Sequence, residues 1–345
     1  PTFTTLTARG VLPETHPCCL SFDSDRGGLD ELNRLLESSD LVVALGCKMS
    51  HNGTAGFRLR LPPDRLVHVN TDPAALDAGY PARMAIEGRV VDVLRRVLDD
   101  SHPPETLWDP GEVAELKGKI GSVRPSPLPE PRFQGVPGGS AEAFFAALRE
   151  ALPDEAVLVT DSGHHQVMTR RHFEVRSAGG LIAPADLQSM GFGLPAALGA
   201  SLSPGSRPVV ALIGVGGFLM SAMDLLCAAR ETLPVVVIVF NDGQLSLIRL
   251  QQMGGYGRSA AVRILNPDME ALADAIGVEY ALVDGDPEAT VRGALGSPGP
   301  TLVEVRLGDS LGTHRLRASG WARNRLRRML GQRMISRLKA FLGRA

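Results

Sequence analysis

Two stretches of this chain place glycines, amides and carbonyls where they could hold an anion and a metal ion. The apolar run Pro208 to Ile213 passes directly into Gly214-Val215-Gly216-Gly217 and a helical pattern, and a second apolar run ends at Asn241-Asp242-Gly243. Glycines at a strand-to-helix turn let backbone amides approach an anion, and the first helical turn offers unpaired N–H groups. The arrangement suits a diphosphate, with the Asn241 amide oxygen and the Gly243 carbonyl as hard ligands for Mg²⁺ between the phosphates. Alone, a glycine-rich turn serves equally well as a tight turn with no ligand. A third stretch, Asp161-Ser162-Gly163-His164-His165-Gln166, adds two imidazoles that could donate to phosphate oxygens or act as acid and base, since histidine titrates near neutrality. One of the pair is read as structural.

The elements that must position these groups can be read from periodicity. Continuous Val and Ile runs at Ala156 to Thr160, Pro208 to Ile213, Pro234 to Phe240 and Thr301 to Val305 are what strands buried on both faces require. Helical patterns lie at Ala141 to Ala151, Phe218 to Arg230 and Asp268 to Ile276. The alternation predicts a doubly wound parallel sheet whose ligand site lies at the carboxyl ends of its strands. Nearer the start, Leu41 to Gly46, Arg65 to Asn70 and a helix over Val90 to Leu98 predict a second parallel α/β domain, and Pro1 to Thr7 reads as a β-branched strand with no lead-in. The reading is therefore a domain over 1–122, a Pro/Gly-rich linker over 123–138, a second domain over 139–310 and a tail over 311–345.

Composition bounds the function. With 345 residues and a formal charge of -2, the chain lacks the basic excess that nucleic-acid recognition needs. The cysteines at 18, 19, 47 and 227 have neither CxxC spacing nor a repeated pattern, so they read as thiols of a reducing compartment, and the expected location is the cytoplasm.

Taken together these stretches resemble the thiamine-diphosphate-dependent enzymes of the acetolactate-synthase type. That family carries Gly-Asp-Gly, a spacer of somewhat under thirty residues and then Asn, matched here by Gly214-Val215-Gly216 and Asn241. Asp161 to Gln166 resembles its Gly-x-His-Gln loop, and Gln188-Ser189-Met190-Gly191-Phe192-Gly193 resembles the segment that holds the thiamine. Ala8 to Pro17 and His68 to Pro73 look like stretches of its middle domain. The resemblance implies that thiamine diphosphate is held by Gly163, His164, Gln188, Ser189 and Met190, by Gly214, Gly216, Gly217 and Phe218, and by Asn241, Gly243, Gln244 and Leu245. Met190 matches the bulky residue that presses between the two thiamine rings; ordinary core packing is its other reading. Arg249 and Gln251 are candidates for a substrate carboxylate, with a solvated helix face as the alternative. Some relatives hold FAD or ADP in the middle domain, and Gly46-Cys47-Lys48-Met49 leaves that open.

Two departures from the family pattern matter. Val215 stands where the family has a metal-binding aspartate, and an isopropyl group offers a cation neither charge nor lone pair, so Mg²⁺ binding is expected to be weakened. The pyrimidine-binding domain, which in relatives supplies the activating glutamate across a dimer interface, has no counterpart between Pro1 and Ala345. The expectation is a portion of a longer or divided 2-keto acid decarboxylase or carboligase, inactive alone and part of a homodimer or tetramer. A non-catalytic binding or regulatory member is the alternative.

The tail from Leu311 to Ala345 holds ten Lys or Arg and no acidic residue, and its Leu and Ile positions fall near one helical face. Such a segment can dock on an acidic protein surface or lie on anionic membrane, and its attraction is screened by salt. Removing it should leave the fold intact and reduce association with anionic vesicles or with the parent assembly, most at low ionic strength. Vesicle sedimentation and light scattering of the full and shortened chains measure this, and equal behaviour at every salt concentration would make the tail a solvated extension.

Overall fold

The computed structural model describes residues 1–308 except 24–26, 101–107, 122–127, 186, 204 and 206. The expected basic tail lies outside the described residues. Among these, no helix is long and apolar enough to cross a membrane. The chain divides into two compact units, Pro1–Pro125 with Glu174–Ala185, and Ser126–Phe173 with Asp186–Ala345.

The first unit is built on three parallel strands, β1 (Val42–Leu45), β2 (Leu66–Asn70) and β3 (Met84–Glu87), in that spatial order. Helix α1 (Leu29–Ser38) presents Leu32, Leu35 and Leu36 to a core that includes Leu20, Leu66 and Ile120. Helix α2 (Val90–Asp100) buries no residue, whereas α3 (Pro110–Gly121) buries Val113 and Ile120. The expected opening strand is not formed. Thr2 makes a single bridge to Cys19, and Leu6–Ala8 curls into a 3₁₀ turn, because a β-branched run becomes a strand only where a neighbour offers it a ladder.

A buried ion pair fixes this unit's first loop. Arg9 Nε and Nη2 donate to Glu14 Oε1 and Oε2 at 2.6 and 2.9 Å, and Glu14 Oε2 also accepts from the Val175 amide at 3.1 Å. Both side chains are almost wholly enclosed.

In the second unit the strands β4 (Val157–Thr160), β6 (Val209–Gly214), β7 (Val235–Asn241), β8 (Glu279–Leu282) and β9 (Thr301–Arg306) are parallel and lie in the order β4-β6-β7-β9-β8. The two-residue strand β5 (Leu181–Ile182) falls in the stretch that groups with the first unit. The helices are α4 (Ala141–Ala151), α5 (His164–His172), α6 (Gly193–Ser201), α7 (Val215–Ser221), α8 (Leu225–Arg230), α9 (Ser246–Tyr256), α10 (Met269–Ile276) and α11 (Pro287–Leu295). Ser140 caps α4, Asp268 caps α10 and Asp286 caps α11, each accepting a first-turn amide that would otherwise lack a partner. The parallel α/β architecture is the one the sequence predicts.

Two boundaries differ from expectation. The stretch read as linker contributes to the second unit's core: Phe133 stacks on Phe144 with ring centroids 5.4 Å apart and meets Phe240 at 5.7 Å, while the Gln134 amide donates to the Arg306 carbonyl at 2.9 Å. The single helix expected over Phe218 to Arg230 is broken by a 3₁₀ turn at Ala222–Asp224.

Removing one partner of the Arg9–Glu14 pair strands the other charge in the interior. An Arg9→Ala protein should lose about 3–5 kcal/mol of stability in the first unit. Chemical denaturation of the parent and variant chains measures the difference, and a loss under about 1 kcal/mol would mean that water reaches the pair.

Candidate functional site

The carboxyl ends of β4, β6 and β7 converge on one pocket. Its walls come from Ser162, Gly163, His164, His165 and Met168 after β4, from Met190, from Gly214, Gly216 and Gly217 after β6, and from Phe240, Asp242 and Gln244 to Ile248 after β7, with Leu307 closing one side. All of these lie in the second unit. Open ends of parallel strands leave backbone amides and carbonyls without ladder partners, so this is where an α/β sheet offers polar groups to a ligand.

Asp161, the first residue after β4, organises the floor. Its side chain is fully enclosed. Oδ1 accepts from the amides of Ser162 at 2.8 Å and Phe192 at 3.2 Å, and Oδ2 accepts from the Gly191 amide at 2.9 Å. Burial pushes this carboxyl above its usual range, against the pull of the amides, which favour the charged form. A Cβ on Gly217 would overlap Oδ2, so the carboxylate lies directly against the first turns of α7. The carboxylate thereby ties the turn over 188–193 to the glycine turn.

That turn carries Met190 to the pocket. A Cβ on Gly216 would overlap Leu245 Cδ2 and stand 3.3 Å from Met190 Cε, so Met190 and Leu245 flank one glycine. Only a residue without a side chain can lie this close to Leu245. The expected partners Gln188 and Ser189 do not line the pocket, and Phe218 is enclosed in the core. Their places in the motif carry the turn and the packing beneath it.

At the end of β7 the two residues expected to hold the metal, Asn241 and Gly243, do not line the pocket. Asn241 Nδ2 donates to the enclosed Glu304 Oε1 at 2.7 Å, and its Oδ1 accepts from Asn266 Nδ2 at 2.6 Å and from the Gly243 amide at 3.3 Å. The Gly243 carbonyl accepts from the Ile264 amide at 3.1 Å. Asp242 and Gln244 are the residues that face the cavity, because side chains at a strand end alternate and Asn241 is turned toward β9. The Asp242 carboxyl accepts from the Gln244 amide at 3.2 Å and from Ser246 Oγ, and burial raises its pKa.

The two histidines lie on the pocket wall with Nε2 of each enclosed and without a protein partner. Desolvation lowers His164 to about 4 and His165 to about 3, the latter despite a hydrogen bond with the Asp161 backbone. Burial thus favours the neutral form of both near pH 7. Each offers one donor or acceptor to a ligand. Arg249 and Gln251 are absent from the lining: the first residues of α9 face the pocket, and the helical turn of 100° per residue carries these two away from it. Among the described residues no Lys or Arg lines the pocket, and Asp242 is the one carboxylate that does.

Residues 161–305 match the family model described as "Thiamine pyrophosphate enzyme, C-terminal TPP binding domain", and residues 1–97 match "Thiamine pyrophosphate enzyme, central domain". The chain belongs to the thiamine pyrophosphate enzyme family. It is similar to the acetolactate synthase isozyme 1 large subunit of Escherichia coli, 29% identical over 312 residues that make up 89% of this chain and 54% of that protein. It is also similar to the acetolactate synthase large subunit of Parasynechococcus marenigrum, at 30% identity over 89% of this chain and 49% of that protein. A probable 2-ketoarginine decarboxylase of Pseudomonas aeruginosa is 28% identical over 89% of this chain and 53% of its own length. The chain thus spans about half the length of the curated relatives it matches.

Against this family the pocket can be tested for fit. Orphaned imidazole nitrogens, a glycine flanked by Met190 and Leu245, and a glycine turn after β6 suit thiamine diphosphate. Asp242 and Gln244 supply oxygens of the kind Mg²⁺ takes, but position 215 adds none, since Val215 is enclosed in the interior. Among the described residues no group of three or more His, Cys, Asp or Glu is placed to hold a metal. A cation here would complete its shell with phosphate oxygens and water.

The lowered histidines make stability depend on pH. A folded pKa below the unfolded value of 6.5 means that the unfolded chain binds protons first, so stability is full above about pH 6.5 and is lost as the pH falls toward 4. Thermal unfolding from pH 8 to pH 5 should show a midpoint that is flat above 7 and declines below 6.5. In a His165→Gln variant the decline should be shallower, and an unchanged decline would assign it to other groups.

Proposed function

We propose that the second unit is the diphosphate-binding half of a thiamine-diphosphate-dependent 2-keto acid decarboxylase or carboligase resembling acetolactate synthase, completed by a pyrimidine domain from elsewhere in its parent chain or from a partner subunit. The observation that carries this reading is the convergence of Met190, Leu245 and the neutral, unpaired His164 and His165 around the Gly214–Gly217 turn. The bound cofactor supplies the carbon nucleophile and the electron sink for loss of CO₂ from the keto acid. Met190 and Leu245 hold the rings in one conformation, and the glycine turn and an imidazole N–H meet the phosphates. Asp242 and an oxygen of Gln244 would hold Mg²⁺, whose charge would offset the repulsion between carboxylate and phosphate. The apolar walls at Met168, Phe240, Leu247 and Leu307 exclude water and so strengthen these interactions.

A second reading, a family member that binds the cofactor or a partner without turnover, is favoured by Val215. It removes the acidic side chain that relatives place at the glycine turn and leaves Asp242 as the sole carboxylate of the wall among the described residues.

Calorimetric titration with thiamine diphosphate and Mg²⁺ should show binding, severalfold tighter in a Val215→Asp variant, and weaker in Asp242→Ala. The purified chain should not consume pyruvate until a pyrimidine domain is added. Turnover by the chain alone would overturn the need for that domain, and failure to bind the cofactor with or without Mg²⁺ would sink the proposal.

A further inference from the structure

Asp161 is the enclosed ionisable group of the pocket floor for which the proposed chemistry has no use. It lies behind the wall: its oxygens face the backbone amides of Ser162, Gly191, Phe192 and Gly193 and pack against Gly217, and it is not among the residues that meet the cavity. All of these amides donate, which suits an acceptor-only carboxylate and would leave a protonated carboxyl, or an amide, with a hydrogen that has nowhere to go. Three of them, Gly191, Phe192 and Gly193, directly follow Met190. Gly191 has φ +80, a conformation that a side chain disfavours, and Gln188 is also at positive φ, so the turn is held in a shape its backbone would not choose unaided. Leu187 at the start of the turn is 91% exposed.

Resting on the functional reading above, we infer that Asp161 is a positioning residue for the cofactor rings: through the Gly191 and Phe192 amides it holds Met190 over Gly216, and it has no part in recognising the phosphates. The glycine turn after β6 keeps a second anchor besides Asp161, the β6–β7 ladder that pairs Gly214 with Phe240. Loss of the carboxylate therefore loosens one wall of the pocket and leaves the other in place.

The test separates rings from phosphates. An Asp161→Asn variant keeps the shape of the side chain but turns one acceptor into a donor facing an N–H. With Mg²⁺ in every solution, its affinity for thiamine diphosphate should fall about tenfold or more, as expected for loss of a charge-assisted hydrogen bond and the order it maintains. Its affinity for inorganic pyrophosphate should stay within about twofold of the parent chain's. Met190→Ala should show the same selective loss, and the double variant should be little worse than either single one, because Asp161 acts through Met190. Equal losses for both ligands, or additive effects of the two substitutions, would overturn the inference. In the unaltered protein, the amides of Gly191 and Phe192 should exchange with solvent hydrogen at least about tenfold more slowly than that of Leu187. Rapid exchange at both overturns the inference even if Asp161→Asn fails to fold. A parent chain that binds thiamine diphosphate while Asp161→Asn binds it equally well sinks this inference alone, whereas a parent chain that binds neither ligand sinks the functional reading and this inference with it.

Discussion

The packing of the Asp161 carboxylate against Gly217 is the contact on which the arrangement of the pocket depends. An enclosed carboxylate is tolerated only where donors surround it, and here the donors are backbone amides of a turn 30 residues further along the chain. One side chain thereby specifies three things: the path of the chain after β4, the shape of the turn over 188–193, and the absence of any side chain at position 217. Met190 reaches the cavity because that turn is held, and Gly216 is open to it because the neighbouring helix begins with glycines. The sheet supplies strand ends and the carboxylate sets the distance between two of them.

A second enclosed carboxylate does the corresponding work on the other side of the sheet. Glu304 on β9 accepts from Asn241 Nδ2 on β7 and from the Tyr280 hydroxyl on β8, each at 2.7 Å, and pairs with Arg306. Asn241 in turn receives Asn266 on its oxygen. The network commits the strand-end amide to structure and leaves Asp242 to face the cavity. Burial, and then the bond to Glu304, raises the pKa of the Tyr280 hydroxyl.

Much of this was legible in the sequence, and the parts that were not share a cause. The Val and Ile runs at 209–213 and 235–240 can only be strands covered on both faces, and the structure buries every residue of both. Strand β8, with the sequence Glu-Tyr-Ala-Leu at the sheet's edge, has no such run and was not foreseen. The glycine turn and Met190 were visible as residue types in order. Which of Asn241 and Asp242 lines the cavity was not legible, because they differ by one residue at the point where a strand ends and Asn241 is bonded to Glu304, some sixty residues later. Asp161 was visible as a letter in a motif, but its partners are backbone amides, which carry no mark in sequence. The histidines show the same limit: their identity suggests titration near neutrality, and only enclosure by Phe240 and the glycine turn lowers it.

The charge of the pocket then decides how Val215 is to be understood. A wall that shows, among the described residues, two neutral imidazoles, no Lys or Arg and one carboxylate is a poor host for an anion unless a cation accompanies it. A second carboxylate at position 215 would strengthen the hold on that cation, yet without the cation it would add a charge at a site that is now enclosed and apolar, which is costly. On the proposed reading, valine at this position would lower the affinity for metal while making the cation-free domain cheaper to fold, and occupancy of the site would follow the concentrations of cation and diphosphate around it.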